Sequence, residues 1–149
     1  KTGLAAPYYL ARAQFFDRKG EYRKALPDYN QYDSLTHTVD PTFFYARYKC
    51  ETKLRMWQQA LLDIARTCYL APKEPTYFAE WASLDLRVKR IDEGISAAKA
   101  CINLAPEYAD GYLLLGLLQR EKGQKQESIE NLKKAQELGD TRAEEYLKQ

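Results

Sequence analysis

With 149 residues, 45% of them apolar and 30% charged, the chain has the balance of an ordinary globular protein and the length for one domain or one compact array. Lys plus Arg at 23 against Asp plus Glu at 21 leaves a net charge of +2, too near neutral to favour nucleic acid or an anionic membrane as the main partner. No apolar run approaches the roughly 20 residues of a membrane helix, so no membrane insertion is expected.

Taken from the N-terminus, apolar and small residues recur at three- and four-residue steps, the period of amphipathic helices. The steps predict helices at about 6–19, 22–36, 41–54, 57–70, 75–88, 91–104, 109–122 and 125–138, with a ninth at about 141–148. Asp40-Pro41 and Glu74-Pro75 put a Pro in the first turn of a helix, where its missing N–H costs nothing. The stretch from Ala109 to Arg142 is the most regular. Tyr112, Leu115 and Leu118 stop at Lys122-Gly123, and Ile129, Leu132, Ala135 and Leu138 close at Gly139. The chain starts at Lys1 without Met and reads as processed or truncated. The compartment stays open: cytoplasmic or, if a signal was removed, periplasmic.

Self-similarity settles the architecture. With Ala109 as the first position of a unit, steps of about 34 residues land on Pro75 and Pro41, and one extra residue leads to Ala6. The fourth position then reads Tyr9, Phe44, Phe78, Tyr112 and Tyr146, always aromatic. The twentieth reads Ala25, Ala60, Gly94 and Ser128, always small, and the thirtieth is Leu35, Leu70, Leu104 and Leu138. The extra residue of the first copy is expected in the connector between Leu35 and Pro41. Turn Gly at position fifteen survives as Gly20 and Gly123 but becomes Arg55 and Lys89 in the middle copies, which forces a side chain into a disfavoured conformation. Tyr48 stands at the eighth position, where Ala13, Ala82 and Gly116 are small; it is expected to widen its hairpin or tilt its ring outward.

These columns resemble the tetratricopeptide repeat (TPR) family over nearly the whole chain, and Tyr9–Leu26, YxARAxxFxxxGxYxxAL, looks like TPR proteins of bacteria. The resemblance implies an all-α, right-handed α-solenoid of four helix–turn–helix repeats at about 6–40, 41–74, 75–108 and 109–142, capped at 143–149, in one TPR domain over 1–149. Each hairpin buries one side only, so neighbours must stack to complete a core. Positions seven and twenty-three lie on facing helices of a hairpin. They hold Arg12 with Asp28 and Arg47 with Asp63, then change together to Trp81 with Ala97 and Leu115 with Asn131, so Arg–Asp contacts are expected in the first two copies.

The chemistry that an enzyme needs is missing or scattered. His37 is the sole histidine, no nucleophile has a second base partner in sequence, and no phosphate loop, HExxH or acidic calcium loop occurs. Cys50, Cys68 and Cys101 have no CxxC spacing and read as core packing, with a Cys68–Cys101 disulfide as the minor alternative. No enzyme activity, metal or cofactor is expected. The resemblance implies instead a protein or peptide partner, bound in a concave groove lined by the first helices, in a scaffold or adaptor role. At the family's groove positions stand Leu10, Gln14, Tyr45, Lys49, Lys53, Thr76, Ser83, Arg87, Leu113 and Leu117. Tyr45 with Lys49, Lys53 and Arg87 suits an extended peptide carrying acidic groups. The family's carboxylate clamp for chaperone tails finds Leu10, Gln14, Ala46, Thr76 and Glu80 in one register and Tyr45, Lys49, Glu80, Asp110 and Leu114 in the next, and neither matches. The alternative is a docking or regulatory segment of a larger protein, for example in envelope assembly or signalling, whose activity lies elsewhere.

Overall fold

A computed structural model describes residues 2–149, with side chains described from Ala5 onward. The described residues form helices and connectors with no strand. Two compact units are present, Lys1–Leu70 and Ala71–Gln149.

The first unit holds α1 (Thr2–Arg18), α2 (Tyr22–Thr36), α3 (Pro41–Lys53) and α4 (Trp57–Leu70). Helix α1 packs on α2, α2 on α3, and α3 on α4. Its core gathers Ala13, Ala25, Tyr29, Phe43, Phe44 and Cys50, with Leu10, Phe16 and Leu70 packed at the edge. The small Ala13 and Ala25 are fully buried beside the aromatic rings, and Phe43 meets Phe44 edge-on at 5.4 Å. The second unit holds α5 (Pro75–Arg87), α6 (Ile91–Leu104), α7 (Ala109–Glu121), α8 (Lys125–Glu137) and α9 (Arg142–Leu147). Here α5 packs on α6 and α7, α6 on α7, α7 on α8, and α8 on α9. One cluster joins Ala82, Ala98, Leu115 and Leu118, and another joins Leu113, Leu132, Ala135 and Ala143.

Local chemistry explains several helix ends. Asp40 Oδ1 accepts from the Thr42 N–H at 2.9 Å, with Pro41 supplying the first turn of α3. Helix α1 begins at Thr2, ahead of the expected start, and carries Pro7 inside it. The extra residue of the first copy is taken up as helix rather than connector. Helix α2 has 15 residues against 14 in α4 and in α6, and His37 caps it in the left-handed region at φ 47° while its N–H donates to Asp33 O. Tyr48 does not turn its ring to solvent: it is buried and stacks on Tyr45, with centroids 5.9 Å apart.

Arg55 and Lys89 hold φ of 58° and 64°, alongside Gly20 at 74° and Gly123 at 86°. A Cβ in that region meets the adjacent carbonyl, which costs roughly 1–2 kcal/mol. Arg55→Gly is therefore expected to raise stability by about 0.5–1 kcal/mol, since the added freedom of Gly in the unfolded chain offsets part of the relief. A higher melting temperature with unchanged helical circular dichroism would show it, and a lower one would refute it.

Candidate functional site

In copy two the columns at positions seven and twenty-three meet as a buried ion pair. Arg47 Nε donates to Asp63 Oδ2 at 2.7 Å and Nη2 donates to Asp63 Oδ1 at 3.0 Å, a two-pronged contact between α3 and α4. Nη1 reaches across to α2, donating to Asp33 Oδ2 at 2.9 Å and Asn30 Oδ1 at 3.3 Å. Arg47 thereby ties three helices together, and its guanidinium holds its charge more firmly than usual because the Asp63 and Asp33 bonds outweigh its burial. Copy one repeats the motif nearer water. Arg12 Nε and Nη2 donate to Asp28 Oδ2 and Oδ1 at 2.7 Å and 2.8 Å, and Nη1 donates to the Tyr8 hydroxyl at 2.9 Å.

A third polar column went unread in the sequence. Position eleven holds Glu51, Asp85 and Gln119 in copies two to four, and all three are buried. Seven residues separate position eleven from the aromatic at four, and three from the small residue at eight, so it lies on the same inward face. A polar residue there is therefore a buried polar residue, and the spacing alone would have disclosed it. Each copy solves the problem differently. Gln119 Oε1 accepts from Asn131 Nδ2 at 2.7 Å. Glu51 is pushed up to about 8 by burial and by the neighbouring Asp63 carboxylate. Asp85 is 0% exposed and meets Arg90 Nε at 3.3 Å, and neither carboxylate oxygen has a well-aligned hydrogen bond among the described residues.

Burial raises the Asp85 carboxyl to about 6, against the pull of Arg90. A folded-state value above the unfolded one means that the protonated form belongs to the fold. The stabilisation is present below the unfolded value, about pH 4, and is lost as pH rises through about 6. Asp85→Asn should therefore stabilise the second unit at pH 8 by about 1 kcal/mol and have little effect at pH 4, as read by urea denaturation at both values. A pH-independent difference would refute this account.

The ten residues expected along a groove fall out as follows. On α1, Leu10 is half-buried and Gln14 exposed; on α3, Tyr45 is half-buried, with Lys49 and Lys53 exposed. Lys49 Nζ lies over the Tyr45 ring at 4.8 Å, so the structure brings this aromatic and this cation together. On α5, Thr76, Ser83 and Arg87 are exposed, and on α7 Leu117 is half-buried. Leu113 is withdrawn from solvent at 4% exposure, because Ala143 of α9 and Leu132 and Ala135 of α8 pack in one cluster with it. Helix α9 is pinned over that core by Arg142, which pairs with Asp110 of α7 and with Asp140.

Other features bear on chemistry. Cys50, Cys68 and Cys101 are free and buried, and burial pushes their thiols up to about 12, 12 and 11. Among the described residues no group of three His, Cys, Asp or Glu is placed to hold a metal ion. None of the described helices is long and apolar enough to cross a membrane. On α4, Leu62 and Tyr69 are 61% and 84% exposed, and with Val39 they border a groove of about 430 Å³ floored by Phe44 and Leu70.

Comparison with known proteins agrees with the repeat pattern. Residues 109–138 match the tetratricopeptide repeat family. The small glutamine-rich tetratricopeptide repeat-containing protein 2 of Saccharomyces cerevisiae (strain ATCC 204508 / S288c) is 28% identical over 92 residues, 62% of this chain. The chain spans 27% of that relative's length. Among solved structures, MamA 41-end from Desulfovibrio magneticus RS-1 aligns with a TM-score of 0.86 at 23% identity, over 99% of this chain and 84% of its own. YrrB, described as a TPR protein with an unusual peptide-binding site, aligns with a TM-score of 0.88 at 19% identity, over 96% and 74%. Residues 109–138 thus match one repeat of that family, and along its length the chain has the fold of solved TPR proteins, an all-α repeat of helical hairpins.

Proposed function

We propose that this chain is a protein-interaction module that holds a peptide or protein segment on the faces of its first helices, in a scaffold or adaptor role. In the first unit the face comprises Leu10 and Gln14 on α1 with Tyr45, Lys49 and Lys53 on α3. In the second it comprises Thr76, Ser83 and Arg87 on α5 with Leu117 on α7. The observation that carries the reading is the Tyr45–Lys49 pair. Tyr45 is stacked on the buried Tyr48 ring, and Lys49 Nζ lies 4.8 Å above Tyr45. A ring held in one orientation beside a cation binds at low entropic cost, and its chemistry suits a partner carrying an aromatic or aliphatic anchor next to an acidic group. The likeness to YrrB, a TPR protein with a peptide-binding site, lends support at the level of the fold.

The test is affinity capture from the native cell with mass spectrometry, using the chain and its Tyr45→Ala/Lys49→Glu variant. Both side chains lie at the surface of α3 or partly so, so the variant should keep its helical content. Partners captured by the parent are expected to be lost by the variant. Unchanged recovery would sink the assignment of this face.

A further inference from the structure

Three of the six large apolar side chains that stand exposed among the described residues gather at one groove of the first unit: Val39 at 75%, Leu62 at 61% and Tyr69 at 84%. Leu62 and Tyr69 occupy positions twenty-two and twenty-nine of copy two, seven residues apart and so on one face of α4. The other copies keep that face for water. They hold Pro27 with Ser34, Ser96 with Asn103, and Glu130 with Glu137 there, all exposed. The apolar pair is therefore peculiar to copy two, and the packing of a hairpin does not require it. An apolar patch that folding leaves exposed in this way is the mark of a docking surface.

The lining says what the groove can take. Apart from Thr38, Arg66 and the Tyr69 hydroxyl, its side chains are hydrocarbon. An extended peptide laid there would find few partners for its backbone N–H and C=O groups, and each group left unpaired costs free energy. A helix satisfies its own backbone and offers side chains alone. Eight residues line the groove, well short of the roughly 20–30 a side of a stable protein–protein interface, so one helix fits its extent better than a second copy of the chain. Arg66 sets the polarity. It is the only charged side chain in the lining and is 52% exposed. Its ion-pair partner Asp63 stands 3.6 Å from Nη1 and already takes two hydrogen bonds from Arg47. The guanidinium carbon lies 5.5 Å from the Phe44 ring centroid, and stacking of this kind leaves the N–H donors at the guanidinium edge for a carboxylate.

We propose that this groove docks one amphipathic helix of a partner protein, whose apolar residues at i, i+3 or i+4 and i+7 pack on Val39, Leu62 and Tyr69 and whose Asp or Glu pairs with Arg66. The stripe from Leu62 to Tyr69 runs about 10 Å along α4 at 1.5 Å per residue, which a helix of about three turns covers. Neither Tyr45 nor Lys49 lines the groove, so it stands or falls separately from the peptide face proposed above.

The experiment selects binders of the whole chain from a displayed library of helical peptides of about 18 residues, long enough to hold a helix, with one face randomised. Leu62→Ser/Tyr69→Ser serves as the counter-bait. Both replaced side chains are exposed, so this variant should keep the circular dichroism and melting temperature of the parent. Enriched peptides are expected to carry apolar residues at the stated spacing with an acidic residue beside them. By fluorescence anisotropy, the tightest should bind Leu62→Ser/Tyr69→Ser at least about thirtyfold more weakly, the size of a hot-spot truncation. Arg66→Gln should weaken binding about threefold to fivefold and flatten its dependence on salt. Exchanging the acidic residue of the peptide for Lys should restore its binding to Arg66→Glu, and Tyr45→Ala/Lys49→Glu should leave binding unchanged. Sedimentation velocity is the second arm, and a monomeric parent is the expected result. A dimer that Leu62→Ser/Tyr69→Ser dissolves would give the groove to a second copy and overturn the proposal. So would a selection whose binders ignore Leu62 and Tyr69, or one whose binders carry no acidic residue.

Discussion

Replacing Arg47 by Ala is expected to lower the stability of the first unit by about 3–5 kcal/mol, the usual cost of removing one partner of a buried ion pair. The geometry makes the loss large. The Asp63 side chain is 3% exposed and takes two strong hydrogen bonds from Arg47, so truncation leaves a buried carboxylate whose remaining cation, Arg66, stands farther off at 3.6 Å. Asp33 and Asn30 lose their contact as well, which loosens α2 from α3. Urea denaturation of Arg47→Ala against the parent would measure the loss, and one below about 1 kcal/mol would refute this view of the network. The complementary variant is Arg47→Met with Asp63→Leu. Removing both charges should restore much of the stability, since a desolvated pair is often matched by apolar side chains of similar volume. Arg12→Ala deletes the same hydrogen-bond pattern, but Arg12 is 42% exposed, so water can take over its role and the effect should be distinctly smaller.

Gly116→Val should destabilise the second unit by about 3 kcal/mol, through overpacking at the crossing of α7 and α8. A Cβ at Gly116 would stand 2.8 Å from Leu132 Cγ and 3.1 Å from Ser128 O, closer than those atoms tolerate. The helices cannot part cheaply, because Ser128 Oγ donates to Gly116 O at 2.7 Å and Leu132 is 2% exposed within the core. The better helix propensity of a residue with a Cβ offsets only a fraction of this. Calorimetric melting of Gly116→Val would settle the sign, and a melting temperature equal to the parent's would mean that the approach is less tight than the distances state.

Local backbone chemistry made much of the fold legible. Pro41 and Pro75 start their helices where expected, and the turn column gives positive φ at Arg55 and Lys89 as it does at Gly20 and Gly123. Positions seven and twenty-three changed in step along the copies, and Arg12–Asp28 and Arg47–Asp63 are hydrogen-bonded pairs in the structure. The beginning of α1 was less legible, because the repeat step locates the paired part of a helix and says nothing of residues that precede it. Leu113 shows the same limit. Its position is a groove position by repeat count, yet α9 and α8 bury it.

The sequence by itself determined an all-α array of helical hairpins, with their turns and the residue columns that face inward, because periodicity and turn chemistry act over three to seven residues. Only the tertiary structure decided what those columns enclose. It buried Glu51 beside Arg47 and Asp63, set Arg90 3.3 Å from a buried Asp85, matched Gln119 to Asn131, and closed a core over Leu113. The physical reason is that desolvation and hydrogen-bond satisfaction depend on atoms from other helices, and a single helix's sequence does not contain them.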